Sequence, residues 1–235
     1  LLARPSIKHV KRTVRPFARI AGPTILTQLA TPFGSYLLTT VISGFGDSAV
    51  AAWAVINRLT VLAFGGIFSL SGAVGGIFGQ NFGAGKIDRL YMIYRDGLIF
   101  CLVYPMLVWG LLVGLNDIIV ALFGVDEDGA KILWAFTHIG AAAFTLTGMS
   151  FVATAAFNNL GRPMYSTVIN WVREGVVSFP LALWLSFLYG ASGVVYAQAA
   201  VAVLIGVPTT LWGLRFVMNT APSDAIRGQF KAHKS

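Results

Sequence analysis

Six long apolar stretches, separated by short polar segments, limit what this chain can fold into. They cover residues 18–44, 49–79, 90–115, 131–158, 164–189 and 193–217. A helix needs about 20 mostly apolar residues to cross the ~30 Å hydrocarbon layer, and every stretch meets that length. Charged residues make up only 11% of the chain, against roughly 25% in soluble proteins. The sequence therefore predicts an all-α membrane protein, a bundle of six transmembrane helices, and excludes a soluble enzyme, a disordered chain and a fibrous protein.

The distribution of charge predicts the orientation of this bundle. All but Arg58, Lys131 and Arg173 of the 17 lysines and arginines fall on the side of the two termini. Basic residues flank the cytoplasmic ends of membrane helices, so we expect a multi-pass protein of the cell (inner) membrane with both termini cytoplasmic. The predicted regions are a basic cytoplasmic segment over 1–17, the transmembrane lobe over 18–217 and a cytoplasmic tail over 218–235. Because topology explains the positive charge, no nucleic-acid partner is expected.

Polar side chains form a stripe along one face of the first span. A face of hydroxyl and amide groups is costly to expose to lipid, so it must border either a water-filled cavity or a neighbouring helix. We expect a cavity that binds substrate, with polar contacts between helices as the alternative. The candidate cavity-lining residues of this stripe are Thr24, Thr27, Gln28, Thr31 and Ser35.

The fourth span repeats this pattern more weakly. Its candidate cavity-lining residues are Thr147, Ser150 and Asn158, which share a helical face with Gly140 and Ala143. Small residues on one face are more typical of close helix packing than of a ligand site. Both interpretations stay open for this helix.

Prolines and glycines predict departures from straight helices. Proline has no backbone N–H, so a helix can bend where it occurs, and we take Pro32, Pro105 and Pro180 as candidate kink or gating residues. The second span would measure about 46 Å as a straight helix and must therefore tilt, bend or extend beyond the bilayer. Its glycine pairs Gly72/Gly76 and Gly75/Gly79 predict close approach of another helix.

Few groups in the spans could carry chemistry. Arg173 and Glu174 are sequence neighbours that point to different helical faces, so we expect each to have a separate partner. No Asp or Glu lies in 18–46 or 129–173, which leaves the two polar-striped spans without a carboxylate. Cys101 lies in an apolar run and is expected to be buried. No metal-ligand cluster or catalytic set is visible, and we predict that the protein is not an enzyme.

The loop after the second span resembles the GQN-x-GA signature of the multidrug and toxic compound extrusion (MATE) transporters. Gly22-Pro23, ahead of the polar stripe, and the segment 158–163, at the end of the fourth span, are similar to that family in the same order. Together with the six spans, the resemblance covers nearly the whole chain. The signature residues are Gly79, Gln80, Asn81, Gly83 and Ala84.

The resemblance implies a twelve-helix transporter of two six-helix lobes, of which this chain resembles the C-terminal lobe. It implies secondary active export of organic, often cationic, compounds such as drugs and toxins, by antiport with Na⁺ or H⁺ and alternating access. Expected partners are the lipid bilayer, small organic substrates and an N-terminal six-helix lobe, in the same chain or a second subunit. No cofactor is expected beyond the coupling ion, whose site we place in the other lobe. The alternative is a lipid-linked oligosaccharide or polysaccharide flippase of the same superfamily.

Overall fold

The computed structural model describes the backbone of residues 7–220 and the side chains of Val14 and of residues 25–220. This part of the chain is helical and contains no strand. Six of its helices are long and apolar enough to cross a membrane, as predicted, the first of them through its portion Ile25–Ser43. The helices are α1 Ile7–Ser43, α2 Asp47–Gly83, α3 Asp88–Gly114, α4 Asn116–Phe123, α5 Glu127–Asn159, α6 Pro163–Tyr189 and α7 Ser192–Met218.

Two helical features at the ends of the spans were not predicted. Helix α1 begins at Ile7, so most of the segment predicted as a basic connection over 1–17 is helical. The short helix α4, which is not among the six predicted spans, buries Asn116 and Ile119 and exposes Ile118 and Leu122. The predicted tail covers 218–235, and its residues beyond Thr220 lie outside those described.

Helix α2 bends at Phe64, which has non-helical backbone angles of φ −110° and ψ 15°. The length of the second span predicted such a departure, and Gly65 and Gly66 follow the bend directly. The Tyr104 hydroxyl of α3 donates a 2.7 Å hydrogen bond to the carbonyl of Ala63. A carbonyl beside the bend thus has a partner, as backbone polar groups require inside a membrane.

The core of the bundle forms around α5. Val152 packs against Gly97 of α3, where a Cβ would lie only 3.0 Å from a Val152 methyl. On α7, a Cβ at Gly213 would lie 2.6 Å from the Cβ of Ala153. Small residues therefore let three helices approach closely on this side of α5.

Only one of the two predicted glycine pairs meets another helix in the described structure. A Cβ at Gly75 would lie 2.7 Å from the Nδ2 of Asn159, and one at Gly79 would lie 3.6 Å from the Oδ1 of the same residue. Gly72 and Gly76 have no described neighbour in reach. The prediction of close approach therefore holds for Gly75 and Gly79 and is wrong for the other pair within the described residues.

Three of the long helices contain a π-helical segment near the middle of their length. The segments are Phe136–Gly140 in α5, Val172–Ser178 in α6 and Ala202–Gly206 in α7. Pro180 and Pro208 follow two of them closely, and a missing proline N–H disturbs the regular hydrogen-bond pattern one turn earlier. Pro105 instead lies buried inside the uninterrupted helix α3, and Pro32 lies exposed within the continuous helix α1.

Candidate functional site

A cavity of about 470 Å³ lies halfway along the bundle, enclosed by α1, α2, α5, α6 and α7. We call it the midspan cavity. All three π-helical segments contribute to its wall, and such segments occur frequently at functional sites. Its volume falls within the range of about 300–1,000 Å³ that is usual for small-molecule sites.

The polar stripe of α1 divides between this cavity and helix packing. Thr31 and Ser35 line the cavity and are exposed. Thr27 does not line it, and its hydroxyl shares a 2.6 Å hydrogen bond with the Thr167 hydroxyl of α6. Gln28 is exposed away from the cavity. The two alternatives for this stripe thus apply to different residues, and the side chain of Thr24 lies outside those described.

The weaker stripe of α5 divides in the same way. Thr147 and Ser150 line the cavity together with Gly140 and Ala143. The Ser150 hydroxyl donates a 2.7 Å hydrogen bond to the carbonyl of Thr147. Asn158 does not line the cavity, because it lies exposed near the end of α5.

Four further polar residues of the cavity wall were missed by the sequence analysis. Each stands alone or nearly alone in an apolar run, so no stripe marks it. Asn57 and Gln198 are exposed, whereas the Thr60 hydroxyl donates to the carbonyl of Ile56 at 2.8 Å and Ser178 is buried. The four residues are Asn57 and Thr60 of α2, Ser178 of α6 and Gln198 of α7.

Arg173 and Glu174 both line the cavity and form an ion pair with each other. The Nη2 and Nε atoms of Arg173 lie 2.9 and 3.0 Å from the same carboxylate oxygen, Oε1 of Glu174. Their side chains are only 12% and 15% exposed. Our expectation of separate partners was wrong, because an arginine side chain is long enough to reach the carboxylate of its sequence neighbour, as Arg95 reaches Asp96 in α3. Pairing offsets the high cost of a charge inside the membrane.

Three aromatic rings form one side of the cavity. Phe68 lies 5.8 Å from Phe144 and 6.0 Å from Phe151, measured between ring centroids. The guanidinium carbon of Arg173 lies 5.4 Å from the centroid of Phe151, within the range of a cation–π contact. The wall thus combines flat apolar surfaces with a neutralised pair of charges.

The loop resembling the family signature lies away from the cavity, at the junction of α2 and α3. The Asn81 side chain donates to the carbonyl of Ile77 at 2.9 Å, and the Asn81 carbonyl accepts from the backbone N–H of Lys86. Gly85 adopts a positive φ of 70°, which a residue with a side chain rarely does. These residues terminate α2, and none of them lines the cavity. The remaining signature residues Gly79, Gln80 and Gly83 lie in the last turns of α2, and Ala84 caps it.

Comparisons with known proteins place this architecture in one family. The family model described as MatE matches residues 23–184. The FAD transporter of Shewanella oneidensis is 28% identical over 86% of this chain and 44% of its own length. The multidrug export protein MepA of Staphylococcus aureus is 22% identical over 97% of this chain and 49% of its own length. The crystal structure of a mutant of the Vibrio cholerae MATE transporter VcmN matches with a TM-score of 0.81 and 20% identity, covering 90% of this chain and 48% of that one. The chain thus spans about half the length of these transporters.

Proposed function

The chain belongs to the MatE family of membrane transporters, and we propose that it forms one lobe of an exporter that binds small organic compounds in the midspan cavity. The observation that carries this proposal is the cavity itself. Hydroxyls, amides and aromatic rings surround a ligand-sized space near the middle of the spans, where transporters commonly bind their substrates. A relative named for multidrug export and another named for FAD transport support small organic molecules as the substrate class.

We infer that export is driven by antiport with Na⁺ or H⁺ and proceeds by alternating access against a second six-helix lobe. That lobe belongs to the same polypeptide or to a second subunit. Within 25–220, Glu174 is the acidic residue that lines the cavity, and it is already paired with Arg173. We therefore keep the coupling-ion site in the partner lobe. The excess of Lys and Arg on one side supports a cell (inner) membrane protein with both termini cytoplasmic.

A flippase for lipid-linked sugars is less well supported. Its anionic pyrophosphate substrate calls for a cationic cavity, but the positive charge of Arg173 is offset by Glu174 at 2.9 Å. Arg58 is exposed and does not line the cavity. The cavity therefore lacks the net positive charge that such a substrate needs.

Transport by the protein expressed from its complete reading frame tests the proposal. Proteoliposomes are loaded with a panel of fluorescent organic compounds, ethidium among them, and efflux is followed under an imposed Na⁺ or H⁺ gradient. We expect gradient-driven efflux of at least one compound. Its absence for every compound under both gradients would overturn the proposal.

The role of the cavity is tested on the compound that is exported fastest. Thr31→Val and Thr147→Val each remove one hydroxyl from the cavity and keep the shape of the side chain. Losing one hydrogen bond of about 0.5–1.5 kcal/mol predicts roughly 2- to 10-fold weaker export for each variant. Thr39→Val is the matched control, because Thr39 lies on α1 outside the cavity, with its hydroxyl bonded to the carbonyl of Ser35. Equal rates for all three variants would disprove binding at this cavity.

A further inference from the structure

Arg173 offers unused hydrogen-bond donors to the midspan cavity. A guanidinium carries five N–H donors, and the ion pair directs Nε and Nη2 toward a single oxygen of Glu174. Among the described residues, no other hydrogen-bond partner of Arg173 is found. One edge of the guanidinium is therefore occupied, and the edge that includes Nη1 is left for a ligand that supplies acceptor oxygens.

Glu174 balances the charge of Arg173 at the cavity wall. Its Oε1 atom accepts from Arg173, and its Oε2 atom lies against Gly34 of α1, so closely that a Cβ at Gly34 would overlap it. The two side chains are similarly exposed, 12% for Arg173 and 15% for Glu174. The guanidinium therefore supplies the hydrogen-bond donors of the pair, and the carboxylate neutralises its charge.

The electrostatics of the cavity favour a ligand without net charge. The two charges that line it cancel, so a cationic or anionic ligand would bring an uncompensated charge into a partly buried, water-poor site. An anion at the free edge of Arg173 would also lie near Glu174 and be repelled. A carbonyl oxygen accepts the same hydrogen bonds without adding charge.

The rings of Phe68, Phe144 and Phe151 supply the rest of the recognition. They form an aromatic wall next to the guanidinium, which itself lies over Phe151. Aromatic ligands pack well against such a wall by offset or edge-to-face contacts. An aromatic ring system would fill the apolar side while its acceptor group reaches the free edge of Arg173.

On the basis of the proposed function, we propose that the midspan cavity selects planar aromatic compounds of zero net charge that present a carbonyl acceptor, and that Arg173 is the residue that recognises this acceptor. Charged compounds then bind this cavity more weakly than neutral ones. The proposal assigns a substrate class to this lobe and a recognition role to one named side chain.

A series of three tricyclic fluorophores of similar size tests the predicted charge preference. Acridone is neutral and carries a ring carbonyl, 9-aminoacridine is a cation, and acridine-9-carboxylate is an anion. Binding to the protein, expressed from its complete reading frame and held in nanodiscs, is measured by fluorescence polarisation. We expect acridone to bind at least 10-fold more tightly than either charged congener. Equal or tighter binding of a charged congener at the cavity would overturn the proposal.

Arg173→Lys tests the recognition role, because lysine keeps the positive charge beside Glu174 but lacks the planar fork of donors. We expect acridone affinity to fall about 10-fold or more, as for a lost hydrogen bond to a charged group, with no matching change for 9-aminoacridine. Arg58→Lys is the matched control, since Arg58 lies outside the cavity. If Arg173→Lys does not fold, the double variant Arg173→Gln/Glu174→Gln, which also leaves the cavity neutral, is measured instead. Unchanged acridone affinity in whichever variant folds would overturn the proposal.

The experiments distinguish failure of this inference from failure of the proposed transport function. If no compound is exported under any gradient, the transport proposal fails, whatever acridone does in the binding assay. If export proceeds but the acridine series shows no preference for the neutral member, only the substrate-class inference fails.

Discussion

The two faces of α5 have opposite relations to the rest of the bundle. One face carries Gly148, Val152 and Ala153 and fits closely against α2, α3 and α7, with a Cβ at Gly148 lying 3.2 Å from an Ile67 methyl and 3.3 Å from the Cys101 sulfur. The other face carries Thr147 and borders the midspan cavity. The comparison teaches that Gly148 and Ala153 serve close packing, whereas Thr147 borders open space. Substitutions on the first face should therefore alter stability, and those on the second should alter ligand binding.

The largest expected effect on stability is at Gly213 of α7, which packs against the close-fitting face of α5. In Gly213→Val the new Cβ would lie 2.6 Å from both the Cβ of Ala153 and the hydroxyl oxygen of Tyr94. Overpacking of this kind costs about 1–3 kcal/mol, and we expect a clearly lower melting temperature in detergent. Gly72→Val is the control, because a Cβ at Gly72 meets nothing within 4 Å. Equal melting temperatures for the two variants would contradict the close packing of α7 on α5.

A smaller loss is expected from Tyr94→Phe on α3. The Tyr94 hydroxyl donates a 2.7 Å hydrogen bond to the carbonyl of Thr210 on α7, and its side chain is fully buried. Removing the hydroxyl leaves that carbonyl without this donor, at a cost of about 1 kcal/mol. Thermal unfolding should therefore begin at a lower temperature than in the control Tyr91→Phe, whose side chain is 46% exposed. A stability unchanged relative to that control would show that the hydrogen bond between α3 and α7 contributes nothing.

The cavity face of α5 should behave differently. Thr147→Val preserves the shape of a partly exposed side chain, so its free energy of unfolding should stay within about 0.5 kcal/mol of the unsubstituted protein. Export of a cavity-bound compound should still weaken, because one hydroxyl is lost from the wall. Melting temperature and efflux are measured on the same preparation. Destabilisation as large as that of Tyr94→Phe would mean that both faces of α5 are packing surfaces.

Hydropathy and the length of the apolar runs predicted the number of spans and the bend in α2, but they predicted fewer of the residues that line the cavity. Six apolar runs predict six spans, because the membrane fixes the length of a helix. The bend in α2 followed from the same constraint. Helix α4 was missed because its eight residues are too short to cross a bilayer and give no comparable signal.

The cavity was predicted only where polar residues repeat along one face. Thr31 and Thr147 belong to such stripes, whereas Asn57 and Gln198 stand apart in apolar runs and were missed. A polar stripe also does not show which of its residues line a cavity and which contact another helix. Thr27 belongs to the stripe of α1, but its hydroxyl bonds to Thr167, which is 140 positions away in the sequence. The pairing of Arg173 with Glu174 was missed because assigning residues to helical faces ignores the reach of an arginine side chain, which also pairs Arg95 with its neighbour Asp96.

The smallest expected effect on stability concerns the N-terminus of α5, which precedes both of its faces. Asp126 caps this helix by accepting a hydrogen bond from the backbone N–H of Gly129 at 3.0 Å, and it accepts another from the hydroxyl of Ser48 at the start of α2. These bonds favour the carboxylate and lower the pKa of Asp126 below its ordinary value. Their contribution to stability is therefore complete above the ordinary Asp pKa of about 3.9 and is lost as the pH falls through the lowered value.

Asp126→Asn separates this titration from the capping itself, since asparagine also caps helices well but carries no charge. We expect the melting temperature of the unsubstituted protein to fall further than that of the variant when the pH is lowered from 6 to about 3. Ser48→Ala removes one of the two bonds and should give an intermediate dependence on pH. Parallel pH profiles for all three proteins would show that the link between α2 and α5 does not depend on the charge of Asp126.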